Sequence, residues 1–259
     1  MKWLERIRTY YILKKHGLPD DLWFKTTKKL PLLASLTTSE MVSLRVLSTL
    51  LIYRKSFYGA HQFDVTLEMK IIIAAQACVE ILQLGIDSFD GWEEIIVYPG
   101  AFKVERQVQD EFGLVSNEQN VLSGEAWGQG PLILSWDDVE RDSYNLRAGH
   151  NVVIHEFAHK LDMLNGRANG MPPLHPDMPI KDWTESLSTA YQHLINRLEH
   201  HHDEINAYAA TNPAEFFAVM CEYFFTAPDI LKKSYPKVYK ELHAYFRREH
   251  IIKNSRLLT

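Results

Sequence analysis

Two histidines and a glutamate in the stretch Asn151-Val152-Val153-Ile154-His155-Glu156-Phe157-Ala158-His159-Lys160-Leu161-Asp162 have the types and spacing to do hydrolytic chemistry. They form H-E-x-x-H. On a helix turning about 100° per residue, His155 and His159 lie about 40° apart on one face, so both imidazoles reach one metal ion. Glu156 sits about 100° round from His155, where a carboxylate can act on a water that the metal activates. Ile154, Phe157, Ala158, Leu161 and Leu164 fall on the opposite side, which splits the helix into a core face and a chemical face. The pentad alone is no proof. With 12 His and 19 Glu in 259 residues, a chance match has odds of about 4%. The bland reading is a surface helix with solvated histidines, and the amphipathic split weighs against it.

A catalytic zinc takes three protein ligands and keeps one position open, so a third ligand must come from elsewhere. Glu215 is the best placed. Asn212 suits an N-cap and Pro213 the first helical position, which puts Glu215 in the first turn of a helix. A Glu at that position also completes a capping box without any metal, so spacing leaves ligand and cap both open. Glu222 shares the Glu215 face. Asp162 lies about 20° from His155 on the same helix face, where a carboxylate better supports a ligand by hydrogen bonding than binds directly. His175, in a Pro-rich loop, is a further candidate.

The elements that must position these residues follow from pattern. Residues 1–90 read as helical. Trp3 to Lys15 forms one helix, Thr37-Thr38-Ser39-Glu40 starts a second like a capping box, and Thr66 precedes a third from Leu67 to Leu84, closed by Gly85. The pattern then changes. Ile95 to Tyr98, Phe102 to Val108 and Pro131 to Trp136 read as strands, 113–124 as loop with some strand, and Asp137 to Gly149 as a polar connection. After the His helix and a Gly/Pro-rich loop over 166–179, helices are expected from Trp183 to Glu199, Pro213 to Phe225 and about Tyr235 to Arg248. His200-His201-His202 reads as a solvated helix end. The class is α+β: a small mixed sheet with the His helix packed on it. The division is a helical region over 1–90 packed on a catalytic part over 91–259, together one compact unit.

The net charge of −5 and pI near 6.2 argue against a nucleic-acid or membrane-surface protein, because no global basic field exists. Lys28-Lys29 and Arg247-Arg248 read as solvated helix faces. Cys78 and Cys221 sit in apolar helical patterns and read as buried free thiols, which favours a reducing compartment. The first residues lack the apolar core of a signal peptide, and no apolar run approaches a membrane span. A cytoplasmic protein with no membrane partner is expected.

Longer motifs carry a resemblance. Val97-Tyr98-Pro99-Gly100, Gly124-Glu125-Ala126-Trp127, Gly130-Pro131, His155 to Asp162, and Tyr208-Ala209-Ala210 running into Pro213-Ala214-Glu215-Phe216-Phe217-Ala218-Val219 resemble the Mlc titration factor A family of zinc peptidases, over about Leu30 to Tyr245. That family's catalytic domain is similar to anthrax lethal factor. The resemblance implies a zincin-like domain with one Zn²⁺ per chain, Glu215 as third ligand beside His155 and His159, and Tyr208 as an oxyanion donor. Glu156 is then general base, and Asp162 and Glu222 are supporting residues. It implies a zinc-dependent peptidase acting on peptides or proteins, in a family linked to aminopeptidase-type cleavage, with endo- against aminopeptidase preference open; the general zinc-peptidase pattern would lay an extended substrate on the edge formed by Leu132 to Trp136. It also implies an alternative: a regulatory protein that sequesters the Mlc repressor, without touching DNA itself. Some relatives carry a His after the Gly-Leu-Val at 113–115, where this chain has Ser116-Asn117.

Overall fold

A computed structural model describes residues 2–100, 102–109, 115–122, 124–126, 130–200 and 204–248. The chain opens with helices α1 (Lys2–His16), α2 (Asp20–Thr27) and α3 (Thr38–Arg54), then strand β1 (Ser56–Gly59) and helix α4 (Leu67–Glu80). Strands β2 (Glu94–Tyr98), β3 (Phe102–Gln109), β4 (Val115–Leu122), β5 (Gly124–Ala126) and β6 (Leu132–Ser135) follow. Helices α5 (Trp136–Tyr144), α6 (Val152–Asp162), α7 (Ile180–His200), α8 (Pro213–Thr226), α9 (Pro228–Ser234) and α10 (Pro236–Phe246) complete it.

Local chemistry sets most helix starts. Thr37 and Glu40 form the full capping box at α3, and the Thr66 hydroxyl accepts from Met69 N at α4. Each satisfies amide hydrogens that the first turn leaves without a helical partner. Helices α4 and α8 are apolar nearly all round and are buried accordingly, with Ile71 to Ala75 and Phe216 to Cys221 at 0–1% exposure.

One sheet has the order β1-β2-β6-β5, and β3 pairs with β4 in a separate two-stranded ladder. β1, β2 and β6 run parallel, in register Phe57↔Ile95 and Ile95↔Leu132, while β5 is antiparallel to β6. Helix α6 lies against β5, β6, α4 and α8. The architecture is α+β.

Several expectations need correction. The stretch over 1–90 is not wholly helical, because Ser56–Gly59 is a strand. Four residues are too few to show alternation, and pairing with β2 decides their state. The polar connection after Trp136 is helix α5, capped by Ser135 and carrying Asp137 and Asp138 in its first turn. Its polarity reads as loop because it buries little apolar surface. Helix α4 ends at Glu80 rather than Leu84, and α2 and α9 have no counterpart in the pattern reading. Strand β6 is flanked by β2 and β5, so Leu132 to Trp136 is not a sheet edge; β5 is. Its three residues carry almost no strand signal. Arg248 is not on a solvated face: it is 4% exposed, with its guanidinium over the Phe225 ring. Leu164 is partly exposed rather than core. His201 and His202, Gly113, Leu114 and Trp127 lie outside the described residues.

Candidate metal centre

Two asparagines aim the site. Asn151 caps α6, its Oδ1 accepting from Ile154 N at 3.0 Å. Asn212 caps α8, accepting from Ala214 N at 2.9 Å and Glu215 N at 3.0 Å. The two helices pack together, and the first turn of α8 meets the chemical face of α6. The Glu215 carboxylate turns to the histidines, with Oε2 3.0 Å from His155 Nε2 and 3.4 Å from His159 Nε2. The two Nε2 atoms are 3.2 Å apart. One ligand atom from each of the three residues lies within 4.8 Å of the others, the one such group among the described residues.

Behind this trio runs a chain of buried polar groups. His155 Nδ1 donates to Glu222 Oε1 at 2.8 Å, since a carboxylate can only accept. That bond keeps a proton on Nδ1 and turns Nε2 to the cluster, where it donates to Glu215 when protonated and offers a lone pair to a cation when not. Asn151 N donates to Glu222 Oε2 at 2.5 Å. Asn151 Nδ2 donates to Gln76 Oε1 at 2.7 Å, and Gln76 Nε2 to Ser143 Oγ at 2.8 Å. Pattern reading missed Gln76 and Ser143, and gave Asn151 no role beyond being the first residue of the helical stretch. The available signal was Gln76 itself, a lone amide inside the apolar run from Ile71 to Val79. Gly149 makes the approach possible. At φ +65°, an added Cβ would meet the Tyr223 ring at 2.1 Å, so only glycine brings the chain this close to α8.

Burial opposes charge on Glu215, but hydrogen bonds from His155 and His159 hold its carboxyl well below the usual range. Burial likewise opposes charge on His155, yet its bonds to Glu215 and Glu222 raise its pKa well above the ordinary value. The cluster therefore favours positive charge. Two facing imidazole nitrogens and one carboxylate oxygen fit a cation between them, which would take the place of the protons that now balance the Glu215 carboxylate. Glu156 stands beside them, 3% exposed, with no partner for Oε2 among the described residues. Burial pushes its pKa up to about 8; His155 works against that shift, and Glu215 and Glu222 add to it.

The other candidates sit as follows. The Tyr208 ring lies 5.9 Å from His155 between centroids, and partial burial and Glu215 push its hydroxyl up. Asp162 is fully buried and accepts from Gly170 N at 2.7 Å, so it ties down the loop after α6. His175 is elsewhere, donating from Nε2 to the Tyr245 carbonyl at 2.8 Å. Cys78 and Cys221 are buried and free. Ser116 and Asn117 lie in β4 opposite Val108 and Gln107. No helix among the described residues is long and apolar enough to cross a membrane.

A family model described as glucose-regulated metallo-peptidase M90 matches residues 2–247. Similar chains include proteins named Mlc titration factor A. The one from Serratia proteamaculans is 39% identical over 232 residues, 88% of this chain and 87% of the relative. The one from Escherichia fergusonii is 37% identical over 228 residues, 86% and 85% of the two chains. The one from Salmonella typhimurium is 37% identical over 224 residues, 85% and 83%.

Proposed function

The chain belongs to the glucose-regulated metallo-peptidase M90 family, and from that premise we propose that it hydrolyses peptide bonds in a zincin-like domain with one zinc ion held by His155, His159 and Glu215. The observation that carries this reading is the convergence of those three donors beside the buried carboxylate of Glu156. Bound there, zinc supplies Lewis acidity, polarising the scissile carbonyl and making a water acidic enough to lose a proton near neutrality. Glu156 takes that proton and later gives it to the leaving amine, a role suited by a pKa near 8. The Tyr208 hydroxyl, kept protonated by its surroundings, donates to the developing oxyanion. Glu222 holds the His155 ring through Nδ1, and Asp162 supports the His159 turn through its loop bond. An extended substrate pairs along β5, the sheet edge next to α6. Residues 1–90 and 91–259 act as one unit in this reading, because β1 joins the sheet and Gln76 backs the site. Two free thiols support a reducing cytoplasmic setting.

The test is a panel of quenched peptides, with free and blocked amino ends, incubated with wild type and Glu156→Gln after metal analysis of both. Cleavage by wild type alone at equal zinc is expected, and preference for free amino ends would assign the aminopeptidase type. Normal turnover by the variant would overturn the mechanism.

A second reading rests on the name of the relatives, Mlc titration factor A. In it this chain binds an Mlc-type repressor, and peptide cleavage is secondary. Repressor capture by Glu156→Gln, with no cleavage by wild type when the repressor is absent, would favour it.

A further inference from the structure

Charge is divided unequally along this chain. Residues 1–55 carry eleven Lys and Arg against four Asp and Glu, and the remaining residues carry seventeen against twenty-nine. The net charge of −5, which as a global figure argues against a membrane-surface protein, averages over a basic first segment and an acidic remainder.

The basic segment begins with α1, which leaves apolar side chains in solvent. Trp3 is 70% exposed, Leu4 66%, Ile7 46%, Tyr10 66% and Tyr11 57%. At about 100° per residue they fall within an arc of about 120°. The opposite face holds the helix to the protein through Ile12, which is buried, and through His16, whose ring meets Tyr53 of α3. The outward stripe is bordered by exposed cations on both long edges, Arg8 and Lys15 on one and Arg6 on the other, with Lys14 inside it. Among the described residues no carboxylate pairs with Arg6, Arg8 or Lys14. Lys15 reaches only the Tyr11 hydroxyl, at 3.4 Å. Five large apolar groups with cations along both borders make a surface complementary to one that is apolar beneath and anionic on either side.

We propose that α1 seats this protein on the surface of an anionic lipid bilayer. Its apolar stripe enters the headgroup boundary, and Arg6, Arg8, Lys14 and Lys15 meet lipid phosphates. A bilayer fits better than a protein partner because the stripe is the convex side of a helix. A plane of headgroups reaches both borders of such a helix at once. Aromatic rings at Trp3, Tyr10 and Tyr11 suit that depth, apolar on the ring and polar at the tip.

The experiment is co-sedimentation of the full chain with vesicles of phosphatidylcholine alone and of phosphatidylcholine doped with phosphatidylglycerol, at low and high salt. Binding only to the doped vesicles, weakened by salt, is the expected result. Arg8→Glu with Lys15→Glu should lower the vesicle partition coefficient about 10-fold or more. Trp3→Ser with Ile7→Ser should also release the protein while its charge is unchanged. Circular dichroism melts of both variants confirm that each is folded. Equal binding to both vesicle types, or none to either, overturns the proposal. So does a stripe-dependent dimer in size exclusion, or an acidic protein held through α1, by a chain that ignores the doped vesicles.

Discussion

The α6–α8 contact and the surface of α1 depart from the usual partition of side chains in opposite ways. At the first, Gln76, Asn151, Glu156, His159 and Glu222 are polar and buried. At the second, Trp3, Leu4, Ile7, Tyr10 and Tyr11 are apolar and exposed. Each departure costs free energy, and the two costs are met differently. The buried groups are mostly satisfied by one another, from Ser143 through Gln76, Asn151 and Glu222 to His155. An interior amide or carboxylate is tolerable only when so paired. The exposed groups on α1 meet no other element among the described residues, and Tyr11 touches only Lys15 of the same helix. The first region spends its anomaly inside the molecule, on holding one imidazole; the second keeps its anomaly available to something outside.

The sharpest way to break this comparison is at Glu156, the buried acid beside the trio with an oxygen free of partners among the described residues. Glu156→Gln keeps size and burial and should lower kcat by about 10²–10⁴-fold, with metal content unchanged by elemental analysis. Next is the link from the relay to the ring. Glu222→Gln keeps one acceptor for His155 Nδ1 but sets an NH2 group against the Asn151 N–H. It should weaken metal affinity about 10–100-fold in chelator competition and lower stability by about 1–3 kcal/mol in denaturant melts. A large loss of stability with unchanged affinity would make the relay structural only.

Glu80 sharpens the contrast because it lies in the buried region without joining the relay. It is fully buried on α4, and neither carboxylate oxygen has a partner among the described residues. Burial raises its pKa well above 4.5, with His155 opposing. The folded state therefore holds a proton that the unfolded chain has lost. Its contribution is fully present below 4.5 and declines as pH rises toward the folded value. Glu80→Met should raise stability at neutral pH by about 1–3 kcal/mol. The difference between variant and wild type in denaturant melts should shrink as pH falls to 4.5. The smallest effect belongs to α1. Trp3→Ser with Ile7→Ser should change unfolding free energy by only about 0.5 kcal/mol per site, since neither side chain is packed. A loss of several kcal/mol would mean that the stripe is covered within the protein after all.

Much of this was legible in the residues. His155, Glu156 and His159 share a helix because four residues make about one turn, and no tertiary fact is needed for that. Asn212, Thr37 and Thr66 marked helix starts that hold in the structure, since a cap is a contact between near neighbours in sequence. The chemical face of α6 was legible as well, but its surroundings were not. The helix is buried on nearly every side, with Val152, Glu156, Lys160 and Asp162 all enclosed. Periodicity reports which face prefers the core, not what later elements close over the other one.

By itself, then, the sequence determined what short-range geometry can determine: the helix bearing the pentad and the position of Glu215 in a first turn. Whether Glu215 caps its own helix or faces the histidines was open at that level, because both need the same residue at the same position. Tertiary structure decided it, by packing the start of α8 against α6 so that the carboxylate comes 3.0 Å from His155. The same holds for Gln76, whose partner Asn151 is 75 positions away, and for β1, which is a strand only because β2 lies beside it. Contacts between residues far apart in the chain leave no periodic mark in either one. They exist only once the chain has folded and brought the two together.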